Sequence, residues 1–256
     1  MRRALRAAVL GLFAWAACAP SPLEIVADGA APHVAAGVLA VQLEGWPEAL
    51  STATLEGGRQ SVVGDVVRVQ HRSEPLALRV AEIEASAWSE ALECDTRCGD
   101  PALAGLVEDV ASAGEGARAR AVRAVRIIAE EVQPERVVRP QTPAVTWQRK
   151  RGDCTEMSEL AVAALRRAEV PARMVSGLAW IEGAWRPHAW VEFAAGATPE
   201  EGWATADPAY GVVPAPLDRV RLFLWPAEGW EALREGDGLG LRVRAVDAAL
   251  AAEEEN

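Results

Sequence analysis

Arg151-Gly152-Asp153-Cys154-Thr155-Glu156 runs directly into Met157, Leu160, Ala161, Ala164, Leu165 and Ala168. Apolar residues recurring three and four positions apart predict the buried face of an α-helix. Asp153 and Glu156 stand three apart at its start, the spacing of a capping box: the first carboxylate accepts from the third helical N–H, and the second reaches back to the N–H of the cap. This pattern puts Cys154 in the first turn. There the unpaired backbone N–H groups and the positive end of the helix dipole favour thiolate over thiol, and the thiolate is the nucleophile. A free cysteine is equally at home as a small buried hydrophobe, so the residues downstream have to decide between the two.

Arg173 to Trp180 reads as a strand, and Glu182-Gly183 as a hairpin turn. The turn leads into Arg186-Pro187-His188-Ala189-Trp190-Val191-Glu192-Phe193. His188 opens this second strand, with His188, Trp190 and Glu192 on one face and Ala189, Val191 and Phe193 on the other. Gly202 to Asp207 reads as a third strand, ending at Asp207-Pro208. Cys, His and Asp thus follow one another on a helix start and two strands, and each has a part in acyl transfer. Cys154 attacks a carbonyl, His188 takes the thiol proton and returns it to the leaving group, and Asp207 holds the imidazole in the right tautomer. An Asp before Pro also serves simply to make a turn.

Arg151 to Glu156 with Leu165 to Arg173, His188-Ala189-Trp190-Val191-Glu192, and Gly202-Trp203 with Asp207-Pro208 together resemble the core of the transglutaminase-like superfamily, a branch of the papain-like cysteine enzymes. The resemblance covers Pro101 to Leu222, including the helices that precede the family's Cys. It implies an α+β fold in which N-terminal helices pack on an antiparallel sheet, with the catalytic triad at Cys154, His188 and Asp207. Two oxyanion-hole donors are suggested beside a backbone N–H near Cys154: Gln148, six residues before the Cys as in papain-like proteases, and Trp147, because some transglutaminases use an indole N–H. The sequence departs from the family at Glu169, where Gly is common, at Ala209, where Thr often follows Asp-Pro, and at Pro187, which restricts Arg186 to extended geometry.

The start of the chain reads as a targeting segment. Arg2, Arg3 and Arg6 precede an uncharged run from Ala7 to Ala17, which is shorter than the roughly 20 residues that span a bilayer. Residues 1–17 are therefore expected to be a signal peptide. Ala16-Ala17-Cys18 is similar to a lipoprotein lipobox, with Trp15 where Leu is preferred; ordinary cleavage near Trp15-Ala16 competes with lipidation of Cys18. The chain has four cysteines. If Cys18 carries lipid, Cys94 and Cys98 are close enough to pair with each other, and Cys154 is left free for chemistry. Half a metal site at Cys94 and Cys98 is the alternative, but no His lies nearby.

The remaining chain fills in around these motifs. Residues 18–32 are rich in Pro and Ala and read as a tether. Residues 33–98 form a small β-rich region with strands at Val34 to Leu43, Gln60 to Gln70 and Leu76 to Ile83. His33 and His71 in this region are isolated. Residues 99–256 carry the catalytic domain, with helices at Pro101 to Ala111 and Ala117 to Val132, a proline-marked loop from Pro134 to Pro143, and a strand or two within residues 214–250. Composition narrows the function classes. Half the residues are hydrophobic and a quarter charged, as in globular proteins. The net charge of −11 becomes −14 once three leader arginines are removed, a balance that repels nucleic acid.

The expectation is an exported thiol acyl-transfer enzyme at the periplasmic face of a bacterial membrane. Its contact with the membrane is through an N-terminal lipid, and its substrate is a protein, peptide or amide. Hydrolysis is favoured slightly over transfer to an amine. The mechanism requires no metal or other cofactor, and no EF-hand-like calcium loop is present. The sequence does not fix the oligomeric state. The competing reading is a binding or scaffold lipoprotein that keeps the fold without turnover.

Overall fold

The computed structural model describes residues 25–27, 32, 34–35, 37–44, 46, 55, 59–70, 78–199, 201–224 and 241–246. The leader, Cys18, His33 and His71 lie outside them. In chain order the elements are β1 (Ile25–Ala27), β2 (Val34–Ala35), β3 (Val38–Glu44), β4 (Gln60–Val63), β5 (Val66–Gln70), α1 (Ser89–Leu92), α2 (Ala104–Ala111), α3 (Ala117–Glu131), β6 (Gln133–Pro134), α4 (Pro143–Arg149), β7 (Arg151–Gly152) and α5 (Cys154–Arg167). Strands β8 (Ala172–Ile181), β9 (Ala184–Ala194), β10 (Trp203–Ala206), β11 (Arg219–Leu224) and β12 (Leu241–Val246) complete the chain. By packing, the described residues fall into two compact groups, one within residues 75–174 and 189–215, the other within 20–74, 175–188 and 216–256. The sequence division at residue 98 marks the change from strands to helices, whereas residues 78–98 pack with the helical group.

The helical group is built on α5. Its Leu160, Ala161, Ala164 and Leu165 are fully buried, as the apolar stripe predicts, and share one core with Leu106 and Val110 of α2 and with Ala121, Val125 and Ile128 of α3. Val191 and Phe193 of β9 and Ala204 and Ala206 of β10 belong to the same core. Small alanines on α5 let its backbone approach these neighbours closely. Helix α4 replaces part of the expected loop. Thr142 caps it by accepting from the Val145 N–H at 3.4 Å, and Pro143 occupies a first-turn position, where a missing N–H costs nothing. Cys94 and Cys98 form a disulfide with Cα atoms 5.3 Å apart. Within that loop the Asp95 carboxylate is held below its ordinary pKa by the Cys98 N–H and then by the Arg97 guanidinium.

The second group contains a mixed sheet in the order β1-β12-β3-β5-β4, with β2 beside β3. Leu39, Val41 and Leu43 on β3, Val67 and Val69 on β5, and Leu241 and Val243 on β12 alternate along their strands, which places them on one buried face. Two expectations change here. Ile25–Ala27, in the anticipated tether, pairs parallel with Leu241–Val243. Val80–Glu82 is a 3-10 turn rather than part of a strand: Arg79 makes an isolated antiparallel bridge with Gly116, and the Glu82 and Ile83 N–H groups then donate back to the Arg79 and Val80 carbonyls.

A four-stranded antiparallel sheet has the order β10-β9-β8-β11. Glu182 and Gly183, which join β8 and β9, have φ of 46° and 80°, as a tight hairpin turn requires. At Gly177 a Cβ would overlap the Val220 carbonyl oxygen, so only glycine permits the close approach of β8 to β11.

Helix α5 ends in a Schellman motif. The Glu169 N–H donates to the Arg166 carbonyl at 3.0 Å and the Val170 N–H to the Leu165 carbonyl at 2.9 Å. Glu169 takes the left-handed position, with φ of 59°, where a side chain is strained. Its contact with Arg120 at 3.9 Å is too exposed to offset much of that cost. Glu169→Gly is therefore expected to raise stability by about 0.5–1 kcal/mol in urea denaturation; an unchanged or lower stability would show that the strain is compensated.

Candidate active site

The turn from β7 into α5 is set by three residues. Gly152 is required because a Cβ there would sit 2.9 Å from the Glu156 Cβ and 3.1 Å from Thr146 Cγ2. Asp153 then leaves the strand in extended geometry and caps the helix, accepting from the Thr155 N–H at 2.9 Å. Glu156 reaches back to accept from the Asp153 N–H at 3.3 Å, completing the capping box. Cys154 is the first residue inside the helix and is 7% exposed.

Glu156 carries the clearest electrostatic signature of the region. Only 4% exposed, it has its pKa pushed up to about 8, first by burial and then by a hydrogen bond with the Asp153 carboxylate and that group's charge. At neutral pH Glu156 is therefore largely protonated and adds little negative charge to the helix start beside Cys154. A second anion there would oppose thiolate formation at Cys154.

The sulfur itself differs from expectation. No described cysteine is a free thiol: Cys154, like Cys94 and Cys98, is disulfide-bonded. A thiol whose thiolate is stabilised attacks disulfides readily and pairs readily.

His188 lies within β9 rather than at its start and is 4% exposed. The anticipated alternation is present, but both faces are buried. Ala189, Val191 and Phe193 enter the core that contains Cys154. On the opposite face the Glu192 carboxylate accepts from Arg173 Nε at 2.9 Å and Nη2 at 2.6 Å, and the guanidinium lies 3.7 Å over the Trp203 ring. Trp203 in turn meets Trp88 edge-on at 4.6 Å. No expectation from the sequence covered this cluster. Its signal was available in the acid at an inward strand position, which needs a cation on the neighbouring strand.

Asp207 is fully buried at the end of β10, one residue beyond the Ala206↔Val191 pair. Its N–H donates to the Val212 carbonyl at 2.9 Å, and its carbonyl accepts from Val212 at 3.2 Å, so it also closes a tight turn. Of the oxyanion candidates, Gln148 is exposed on α4. Trp147 is half-buried against the core of the helical group, with Lys150 Nζ 2.8 Å from its ring centroid. Burial lowers the Lys150 pKa against the raising influence of Glu131. Among the described residues no group of three or more His, Cys, Asp and Glu is arranged to hold a metal, and no helix is long and apolar enough to cross a membrane.

Residues 104–208 match the family model of the transglutaminase-like superfamily. The fold agrees with it. A protein from Cytophaga hutchinsonii, proposed to be a cysteine protease, superimposes with a TM-score of 0.51 over 86% of this chain and 84% of its own, at 14% identity. The periplasmic domain of TgpA from Pseudomonas aeruginosa superimposes at 20% identity in two structures. Its ethylmercury-bound structure has a TM-score of 0.44, covering 78% of this chain and 81% of that one; the other has 0.45, covering 84% and 81%. No curated protein matches the chain in sequence.

Because Glu156 holds its proton more tightly when folded than at its ordinary value of 4.5, the unfolded chain releases that proton first. The stabilisation is complete below about pH 4.5 and is lost as pH rises toward about 8. Glu156→Gln keeps the capping box but removes the titration. Thermal unfolding between pH 5 and 8 should show wild type losing stability relative to this variant, whereas parallel curves would place the proton elsewhere.

Proposed function

We propose that the protein is a thiol acyl-transfer enzyme using Cys154, His188 and Asp207. The observation that carries this reading is Cys154 as the first residue of a fully capped helix, in the transglutaminase-like segment, with its neighbouring acid held neutral. The Cys154 thiolate attacks an amide or peptide carbonyl. The tetrahedral intermediate collapses to a thioester as protonated His188 gives its proton to the leaving amine. Water or a second amine then attacks the thioester, with His188 as base, releasing acid or new amide and restoring the thiol. Asp207 orients the imidazole.

The Cys154 backbone N–H and Trp147 are the favoured oxyanion donors; Trp147 is preferred over Gln148 because a donor shielded from water stabilises an oxyanion more strongly. Hydrolysis is preferred over transamidation because water is always present and no lysine-binding feature was recognised in the sequence. The substrate is a protein, peptide or amide, and the mechanism needs no metal.

Export follows from the leader, with lipidation at Cys18 anchoring the chain to the periplasmic face of the membrane. The enzyme reading requires the Cys154 sulfur to be reduced in the active protein, because the thiolate is the nucleophile. The disulfide-bonded Cys154 of this structure favours a second reading, a scaffold lipoprotein whose cysteine does no chemistry.

Alkylation of Cys154 by iodoacetamide across pH, before and after mild reduction, separates the two. The enzyme reading predicts reactivity with a midpoint well below about 8.5, lost in His188→Ala and weakened in Asp207→Ala. A midpoint near that of a free thiol, with His188→Ala indistinguishable from wild type, would establish the scaffold.

A further inference from the structure

The helical group contains a cavity of about 590 Å³ that the proposed chemistry does not use. Val80, Ile83 and Leu92 supply its apolar surface, and Arg120 and Arg166 its cationic wall. Arg166 stands twelve residues after Cys154 on α5, about 18 Å along the helix axis, so this is a separate place from the nucleophile.

Both guanidinium groups are fixed before any ligand arrives. Arg120 donates from Nε to the Gly114 carbonyl at 2.8 Å and from Nη1 to the Ala168 carbonyl at 2.6 Å. Arg166 donates from Nε to the Ala172 carbonyl at 2.8 Å and from Nη1 to the Glu93 carbonyl at 2.6 Å. These are bonds to neutral acceptors, made with part of a fork that carries five donors. Among the described residues, Nη2 of each arginine makes no hydrogen bond, and Arg166 makes no ion pair within 4 Å. Burial accordingly lowers the Arg166 pKa despite the more distant Asp95 and Glu93.

The acids of the cavity do little to balance this charge. Glu115 is taken up by Arg79 at 2.6 Å, and Glu169 is 80% exposed, 3.9 Å from Arg120. Two pre-positioned cations, each with Nη2 unused, beside apolar side chains suit an anion with an apolar body, and a carboxylate offers one oxygen to each of them. The volume lies in the range of small-ligand pockets.

We propose that this cavity binds a small amphipathic carboxylate, its two oxygens held by Arg120 and Arg166 and its apolar body lying against Val80, Ile83 and Leu92. The proposal stands apart from the acyl-transfer reading and survives or fails independently of it.

Calorimetric titration of the purified protein, with backbone amide shifts to locate the site, tests it using N-acetyl-L-leucine, N-acetyl-L-leucinamide and inorganic phosphate. Saturable binding of N-acetyl-L-leucine is expected, with shifts concentrated at residues 79–92 and 166–169. The neutral amide should bind at least about tenfold more weakly because it lacks the charge-assisted pair. Arg166→Met should weaken binding to a similar degree. So should Ala85→Glu, which places a competing carboxylate in the cavity from an exposed position that does not disturb the core. Cys154→Ala should bind as wild type does. Equal affinity for acid and amide, phosphate binding as tightly as N-acetyl-L-leucine, no saturable binding, shifts centred instead on residues 150–156, or an Ala85→Glu protein that binds normally would each overturn the proposal.

Discussion

The start of helix α5 is held by a reciprocal pair of hydrogen bonds, and most of the candidate site depends on them. Asp153 satisfies helical N–H groups that would otherwise be orphaned, and Glu156 satisfies the N–H of Asp153 itself. The cap fixes where the helix begins and so makes Cys154 its first residue. The buried apolar stripe of the same helix then carries that position into the core shared with β9 and β10, the strands that bear His188 and lead to Asp207.

The cap also has an electrostatic cost that the fold resolves by protonation. Two carboxylates confined at one helix start repel each other and would raise the thiol pKa beside them. Burial selects Glu156 as the neutral partner. Asp153 and Glu156 can then share hydrogen bonds rather than charge, and the helix dipole is left to act on the sulfur. A single local arrangement thus couples the start of the helix to the protonation of Glu156.

Much of this was legible because it is local. The D-x-x-E spacing, the stripe behind it and the Glu182-Gly183 turn concern residues within a few positions of one another, and each has the predicted structure. Long-range pairing was less visible: nothing in Ile25–Ala27 announces a partner at Leu241–Val243, because parallel pairing leaves no turn signal between the strands. Helix α4 was hidden by Pro140 and Pro143, which read as loop residues, although Thr142 followed by Pro143 is also a helix-start pattern. The Arg173–Glu192–Trp203 cluster required the register of three strands, and the protonation of Glu156 required its burial. Residue identity alone supplies neither. The disulfide state of Cys154 was likewise beyond spacing arguments.

The proposed chemistry passes through a covalent acyl intermediate on Cys154. Intact-protein mass spectrometry of the reduced protein, acid-quenched seconds after mixing with an activated aryl ester of an N-acyl amino acid, observes that intermediate directly. The account predicts one acyl adduct, mapped to Cys154, labile to hydroxylamine, absent from Cys154→Ala and accumulating far more slowly in His188→Ala. Absence of an adduct from fully reduced protein, or an adduct that maps elsewhere and persists in Cys154→Ala, would contradict it.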